Sequence, residues 1–267
     1  MSLKALVILF LPSCLYAQEY TKLVWSDEFN YAGLPDDRKW SYEEGYVRNG
    51  EKQLYVVKNS ENSRVENGML VIEAKKTTYK KLGFLQELFA TKPQLYTSAS
   101  LTTRNLKSWV YGRVEVRAKV PQGKGVWPAI WLLGLDKEHK GWPAKGEIDI
   151  MEYVGYQQNK VHVALHTKMR NHQNKKAVNR QFELNDLDKS FYTYAVEKYP
   201  NKINFFIDNE LLFSYKKEGN SEAYWPFNKP MYLIINLAIG GSWGGKYGVD
   251  DAIFPQKFLI DYVRVYQ

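Results

Sequence analysis

Apolar and polar residues alternate along most of the chain, which is the period of a half-buried β-strand. Runs rich in β-branched and aromatic residues lie at 70–74, 111–120, 161–167, 192–198, 203–207, 232–237 and 258–266. Turn-forming residues such as Asn67-Gly68 and Asp208-Asn209 separate them. Helical patterns are nearly absent, and 82–90 is the best short candidate. The pattern predicts an all-β fold, a two-sheet antiparallel β-sandwich.

One predicted strand carries three acidic residues and no basic one. In the segment 147–152, alternation places Glu147 and Asp149 on one face and the isoleucines between them on the other. Strict alternation would turn Glu152 towards the isoleucines, so we expect one extra residue, most simply Met151, in a β-bulge. An exposed strand with outward polar residues is the alternative, but like charges on one strand face destabilise it.

Such a row of acids has the composition of a glycosidase centre. With a rise of about 3.3 Å per residue, the Cα atoms of Glu147 and Glu152 lie about 13 Å apart. Inward-leaning side chains could bring the two carboxyl groups to about 5–5.5 Å, the spacing of a retaining glycosidase. Crowding of Asp149 with the two glutamates should raise the pKa of at least one carboxyl.

Six segments together resemble glycoside hydrolase family 16, in the form typical of laminarinases and endo-β-1,3(4)-glucanases. They are WSDEF at 25–29, YTSASLTT at 96–103, GVWPAIW at 125–131, GEIDIMEY at 146–153, NLAIGG at 236–241 and DYVRVY at 261–266. The resemblance implies a β-jelly roll with a concave glycan-binding cleft. It also implies that Glu147 is the nucleophile, that Glu152 is the acid/base, and that Asp149 keeps their protonation states different.

Aromatic residues make up 15% of the chain, and four tryptophans are candidates for stacking on sugar rings. Trp127 is the preferred cleft residue, whereas Trp131 is as consistent with the core as with the cleft. Trp142 and Trp243 lie among glycine and proline residues in predicted loops, where contact with a ligand is more plausible than burial.

Three polar residues are further candidates for binding the sugar. Asn49 matches a donor-subsite asparagine of similar enzymes, although it could be a simple turn residue. Arg104 could bond sugar hydroxyls or form a surface ion pair. Alternation places His162 and His166 on one face. His166 is preferred because the resemblance implies a histidine near the acid/base, although most lone histidines are structural.

The linkage that is cut stays open at this stage. The long polar segment 167–176 departs from the short turn of many laminarinases and is as consistent with a mixed β-1,3/1,4-glucan as with β-1,3-glucan. A related enzyme acting on a galactan such as agarose or carrageenan, or a transglycosylase, would use the same residues. A glycan-binding lectin is the non-enzymatic alternative, but a lectin has no need for both glutamates.

No catalytic cofactor or metal is expected, because the histidines lack ligand spacing. The resemblance implies a structural calcium, for which Glu28, the Gly68 carbonyl and Asp261 are loose matches with suitable oxygen ligands. Ordinary acids at strand ends are the alternative.

The beginning of the chain is typical of an export signal. Lys4 precedes an apolar run at 5–11, and Ala17 offers a cleavage site, so we expect a signal peptide at 1–17 and a catalytic domain at 18–267. The protein would be secreted or periplasmic. Lipid attachment at Cys14, the only cysteine, is the alternative, and Pro12 fits that pattern poorly.

The formal net charge is +8, but paired lysines are scattered along the chain. Nucleic-acid binding would require a concentrated basic stripe, so we expect no nucleic acid. A β-glucan polysaccharide or oligosaccharide is the expected partner, and the protein is expected to be a monomer without a protein partner.

Overall fold

The computed structural model describes residues 20–77, 95–135 and 139–267. Within them lie β1 (Leu23–Asp27), β2 (Ser41–Tyr42), β3 (Gln53–Tyr55), β4 (Ser63–Glu66), β5 (Met69–Thr77), β6 (Leu95–Ser98), β7 (Ser100–Thr102), β8 (Gly112–Lys119), β9 (Val126–Gly134), β10 (Glu147–Tyr153), β11 (Lys160–His166), β12 (Val178–Glu183), β13 (Tyr192–Lys198), β14 (Lys202–Ile207), β15 (Glu210–Lys216), β16 (Met231–Ile239) and β17 (Gln256–Tyr266). Short 3-10 segments occupy Pro226–Asn228 and Asp251–Ile253. The predicted helix at 82–90, the signal peptide and Cys14 lie outside the described residues.

The strands form two sheets, which confirms the predicted sandwich. The ten-stranded sheet runs β15-β14-β13-β8-β17-β5-β6-β3, with β1 paired to β17 and β4 to β5. The seven-stranded sheet runs β12-β11-β10-β9-β16-β7-β2. Among the described strands the pairing is antiparallel except at one edge of the larger sheet, where β3 and β6 run parallel.

The predicted strands are present, and their alternation places one face of each sheet in a common core. Ile130 and Leu132 of β9 and Leu233 and Ile235 of β16 lie in the core, together with Val196 of β13. Side chains from two inner faces interdigitate in this way in sandwich folds. No helix in the described part of the chain has the length and apolar character needed to cross a membrane. The other face of the seven-stranded sheet carries the acidic residues.

Candidate active site

The acidic strand β10 contains the predicted bulge. Its pairing with β9 matches Asp149 to Trp131 and Met151 to Ile130, so Ile150 has no partner on that strand. Ile150 and Met151 are both buried in the core. Because two consecutive side chains point inward, Glu152 returns to the face that carries Glu147 and Asp149. The sequence-based prediction of a bulge is confirmed, but the extra residue relative to β9 is Ile150, whereas Met151 was expected in this position.

The bulge brings each acidic residue into a row of facing residues on β11, β9 and β16. These rows are His166, Glu147, Leu133 and Tyr232; then Ala164, Asp149, Trp131 and Ile234; then His162, Glu152, Ala129 and Asn236. Facing side chains in antiparallel strands lie close enough to interact. We call this surface of the seven-stranded sheet the acidic face.

Two tryptophans bond the two glutamates separately. The indole Nε1 of Trp142 donates to Glu147 Oε2 at 3.0 Å, and that of Trp127 donates to Glu152 Oε1 at 3.0 Å. Two of the four predicted tryptophans, Trp127 and Trp142, therefore contact the acidic residues. An indole is a neutral donor, so it orients a carboxyl group without adding a positive charge.

His166 lies opposite Glu147 in the pairing of β10 with β11, and His162 lies opposite Glu152. The Nε2 atom of His166 is 3.2 Å from Asp149 Oδ2 and 3.7 Å from Glu147 Oε1. His166 also lowers the pKa of Glu152 electrostatically, and its expected contact with the sugar stays a prediction. His162 bonds Gln157 Oε1 at 2.7 Å.

The acidic residues share a dry, negatively charged environment. Burial and the nearby Asp149 charge raise the pKa of Glu147 to about 8. Burial raises the pKa of Asp149 as well. The pKa of Glu152 lies well above its usual range because of burial and of the charges on Asp149 and Glu147. Burial disfavours the ionised form, and so does a neighbouring like charge, so the trio holds protons near neutral pH.

Trp131 is buried like a core residue but lies on the face of the sheet that carries the acidic residues. It is only 7% exposed, yet it packs with Leu133, Tyr232 and Ile234 on the acidic face and not in the main core. Its indole donates to Asn236 Oδ1 at 2.8 Å. The guanidinium of Arg48 lies 4.9 Å from the ring centroid, within reach of a cation–π interaction. Trp131 therefore forms part of the floor beneath the acidic residues.

Beyond Trp131 lies a buried polar network that the sequence did not reveal. Asn236 Nδ2 donates to the Tyr55 hydroxyl at 3.0 Å, and this hydroxyl donates to Glu51 Oε2 at 3.3 Å. Gln53 Nε2 also donates to Glu51 Oε2, at 2.7 Å. Burial raises the pKa of Glu51. Alternation on β3 could have indicated that Gln53 and Tyr55 share a face, but it gives no sign of their distant partner on β16.

The predicted Asn49 and Trp243 lie at different places around the acidic face. Asn49 is exposed, bonds Glu51 Oε1 at 3.2 Å, and has φ 55°, so it forms the turn that was considered for it. Trp243 makes edge contacts with Trp127, at 5.5 Å between centroids, and with His162, at 4.9 Å. Trp243 is therefore near Glu152, through Trp127 and His162, and Asn49 is near the Glu51 network.

Arg104 is not in contact with the acidic residues. Its guanidinium lies 5.9 Å from the ring centroid of Tyr232, in the row that contains Glu147. Both residues line a groove of about 510 Å³ that also includes Lys107 and Lys145. A sugar bound at Glu147 would have to extend past Tyr232 to reach Arg104.

The residues expected to bind calcium have other partners. Both carboxylate oxygens of Glu28 accept bonds from Arg264, at 3.0 and 2.8 Å, and Asp261 pairs with Arg117. Gly68 has φ 74° in the turn between β4 and β5. An ion would have to displace Arg264 to use Glu28, so the side chains as placed do not fit calcium, and its binding stays a prediction.

Comparison with known proteins gives a consistent result across most of the chain. The family model described as "Glycosyl hydrolases family 16" matches residues 50–264. A beta-glucanase of Rhodothermus marinus is 42% identical over 92% of this chain and 85% of that protein.

Two solved structures have a similar fold. The laminarinase of Rhodothermus marinus has a TM-score of 0.85 and 41% identity, over 94% of this chain and 98% of that chain. A mutant of SCLam, a non-specific endo-beta-1,3(4)-glucanase, has a TM-score of 0.85 and 42% identity, over 93% of this chain and 95% of that chain. The second structure was co-crystallised with 1,3-beta-D-cellotriosyl-glucose and has a 1,3-beta-D-cellobiosyl-glucose at its active site.

Proposed function

The chain belongs to glycoside hydrolase family 16, and we propose that it is a retaining endo-β-glucanase that hydrolyses β-1,3-glucan (laminarin) or mixed β-1,3/1,4-glucan. Its relatives over most of the chain include a protein named as a beta-glucanase and one named as a laminarinase. The protein is a glycoside hydrolase with a jelly-roll fold, and the linkage that it prefers belongs to the proposal.

The bulged acidic strand is the observation that carries this proposal. Glu147 and Glu152 lie on one face, on either side of Asp149, and each has its own indole donor. A retaining glycosidase needs one carboxylate to attack the sugar and one carboxylic acid to protonate the departing oxygen. Separate environments allow two carboxyl groups of the same site to differ in protonation.

We assign the nucleophile to Glu147. The indole hydrogen bond from Trp142 favours its ionised form, and so does the nearby His166. Ionised Glu147 attacks the anomeric carbon and forms a glycosyl-enzyme.

We assign the acid/base role to Glu152, whose pKa is raised by burial and by both neighbouring carboxyl groups. Protonated Glu152 donates its proton to the leaving glycosidic oxygen, and its carboxylate then removes a proton from the attacking water. Asp149 lies between the two glutamates in the strand. Its negative charge opposes simultaneous ionisation of its neighbours.

Cleavage products test the substrate and the stereochemistry together. We expect hydrolysis of laminarin or barley β-glucan in a parallel digestion with agarose and carrageenan. Proton NMR of the new reducing end should show the β-anomer first, because double displacement retains configuration. An initial α-anomer would refute the assignment of Glu147 as nucleophile, and exclusive cleavage of a galactan would refute the substrate.

We also propose that the protein is exported and released after cleavage behind Ala17. The support is the basic and apolar pattern at 4–11. A Cys14→Ala variant should be cleaved and released like the wild type. Intact-mass detection of an acylated cysteine at the mature amino terminus would instead indicate a lipid anchor.

A further inference from the structure

Three ligand atoms of the acidic face converge on one point. One ligand atom each from Glu147, Asp149 and His166 lies within 4.8 Å of the other two. The histidine Nε2 is 3.2 Å from Asp149 Oδ2 and 3.7 Å from Glu147 Oε1. One imidazole with two carboxylates is a donor set that suits zinc and similar first-row metals.

The spacing of these atoms matches the edges of a zinc coordination polyhedron. Tetrahedral zinc with bonds of about 2.0–2.1 Å separates its ligand atoms by about 3.3–3.4 Å. The distances from His166 to the two carboxylate oxygens lie on either side of this value. An ion could therefore enter with side-chain adjustments of a few tenths of an ångström on those edges.

The hydrogen bonding leaves the converging oxygen atoms available. Asp149 Oδ2 is buried and has no hydrogen-bond partner among the described residues. Trp142 bonds the other oxygen of Glu147, Oε2, so Oε1 is left facing His166. In the described part of the chain, neither acid forms an ion pair with lysine or arginine. Carboxylate oxygens and an imidazole nitrogen that are free of other bonds are suitable ligands for a divalent transition metal.

We propose that Glu147, Asp149 and His166 form a binding site for a divalent transition metal such as Zn²⁺, and that the bound ion inhibits the enzyme reversibly. The three side chains would supply one nitrogen and two oxygen ligands, with the remaining position open to water. Binding does not depend on the proposed function. Inhibition does, because it follows from Glu147 being held away from the sugar.

Protons compete with the ion for the same atoms. Metal ligands must be deprotonated, so binding releases protons and depends on pH.

Isothermal titration of the untagged protein with ZnCl₂ tests the site directly. We expect one strongly bound ion per chain and at least about tenfold weaker binding in His166→Gln and in Asp149→Asn. His139→Gln is the matched control, because His139 is exposed and outside this cluster. Equal binding by all variants, or equal loss in the control, would overturn the proposal.

A spectroscopic probe separates a metal site from inhibition of another kind. Co²⁺ added in place of Zn²⁺ should give the intense visible absorption of tetrahedral coordination, and laminaritetraose should suppress it. Absence of this spectrum in the wild type would refute the proposed geometry. A protein that binds Co²⁺ in this way, but whose metal-free form leaves laminarin intact, would keep the metal site and refute the proposed substrate.

Discussion

Buried carboxyl groups lie on the outward faces of both sheets, but their surroundings differ. On the ten-stranded sheet, Arg113 bonds Glu115 Oε2 at 3.1 Å and Glu197 Oε1 at 3.3 Å. Tyr262 donates to the second oxygen of Glu115, and Tyr199 to that of Glu197. Every oxygen of these two carboxylates therefore has a donor, and one guanidinium offsets half of their combined charge.

The acidic face has the opposite arrangement. Glu147 and Glu152 each accept one indole hydrogen bond, and Asp149 has only the nearby His166. Removing one partner of a buried ion pair destabilises a fold, because the other charge is left unpaired, whereas neighbouring carboxyl groups without a cation raise one another's pKa. The comparison therefore separates structural carboxylates from the proposed catalytic ones by the partners around them, since both sets are buried.

The largest effect that tests this comparison is loss of the proposed nucleophile. Glu147→Ser should lower kcat by more than about 10⁴-fold, because no other group can form the glycosyl-enzyme. Its thermal stability should be equal to or higher than that of the wild type, since a like charge is removed. Activity on laminarin and calorimetry measure the two quantities.

Glu197→Gln is the control for this variant on the other sheet, and it should keep its kcat. A Glu147→Ser protein that stayed active, or that lost as much stability as a broken ion pair costs, would contradict the distinction between the two faces.

Removal of the guanidinium from the ten-stranded sheet should give the second largest effect, on stability only. Arg113→Met leaves Glu115 and Glu197 without a cation, which should lower the free energy of unfolding by about 3–5 kcal/mol. Urea denaturation measures the loss, and kcat below the transition should not change.

Arg117→Met is the matched control, because Arg117 lies on the same strand in a more exposed pair with Asp261. It should cost about 1 kcal/mol or less. Equal losses in Arg113→Met and Arg117→Met would show that the buried cluster is no more important than a surface pair.

The two indole donors should affect opposite sides of the pH profile. Trp142→Phe removes a hydrogen bond that lowers the pKa of Glu147. A hydrogen bond to a charged group contributes about 1.5 kcal/mol, and this free energy corresponds to about one pKa unit. The ascending limb of the pH profile of kcat/KM, where Glu147 must ionise, should therefore move about one unit to higher pH.

Trp127→Phe should raise the pKa of Glu152 in the same way. Because Glu152 must be protonated, the descending limb should then move to higher pH. Identical shifts of both limbs in both variants would indicate that the tryptophans do not act on separate glutamates.

A further expected effect is the pH dependence of stability. A carboxyl whose folded-state pKa is raised makes the native state bind more protons than the unfolded state, so its contribution to stability falls as pH rises. For Glu147 this fall should extend from about pH 4, where the unfolded carboxyl titrates, to about pH 8.

Asp149→Asn should reduce that slope, by up to about 1.4 kcal/mol per pH unit for one proton. Urea unfolding at pH 5, 6, 7 and 8 gives the comparison with the wild type. A steeper slope in the variant would show that Asp149 does not share the excess protons.

The sequence predicted features that depend on local alternation. The bulge followed from Glu152 being one residue out of phase with Asp149, and the common face of His162 and His166 followed from their spacing of four. These predictions held because a strand's side-chain period is fixed by its backbone.

Features that depend on distant pairing could not be predicted in this way. The chain from Trp131 through Asn236 and Tyr55 to Glu51 joins β9, β16 and β3. No local pattern indicates which strands are neighbours. For the same reason, alternation could not show whether Trp131 faces the core, or that Arg264 would pair with Glu28.

Because of the bulge at Ile150 and Met151, two glutamates that are five residues apart lie on the same face of the strand. In a regular strand only residues separated by an even number of positions share a face. Deleting Met151 would restore strict alternation and direct the carboxyl of Glu152 into the hydrophobic interior. Substituting Met151 with another apolar residue would keep the phase. A single-residue deletion in this strand should therefore inactivate the enzyme, whereas an apolar substitution at Met151 should not. Over evolution, this strand should tolerate changes of residue type better than insertions or deletions.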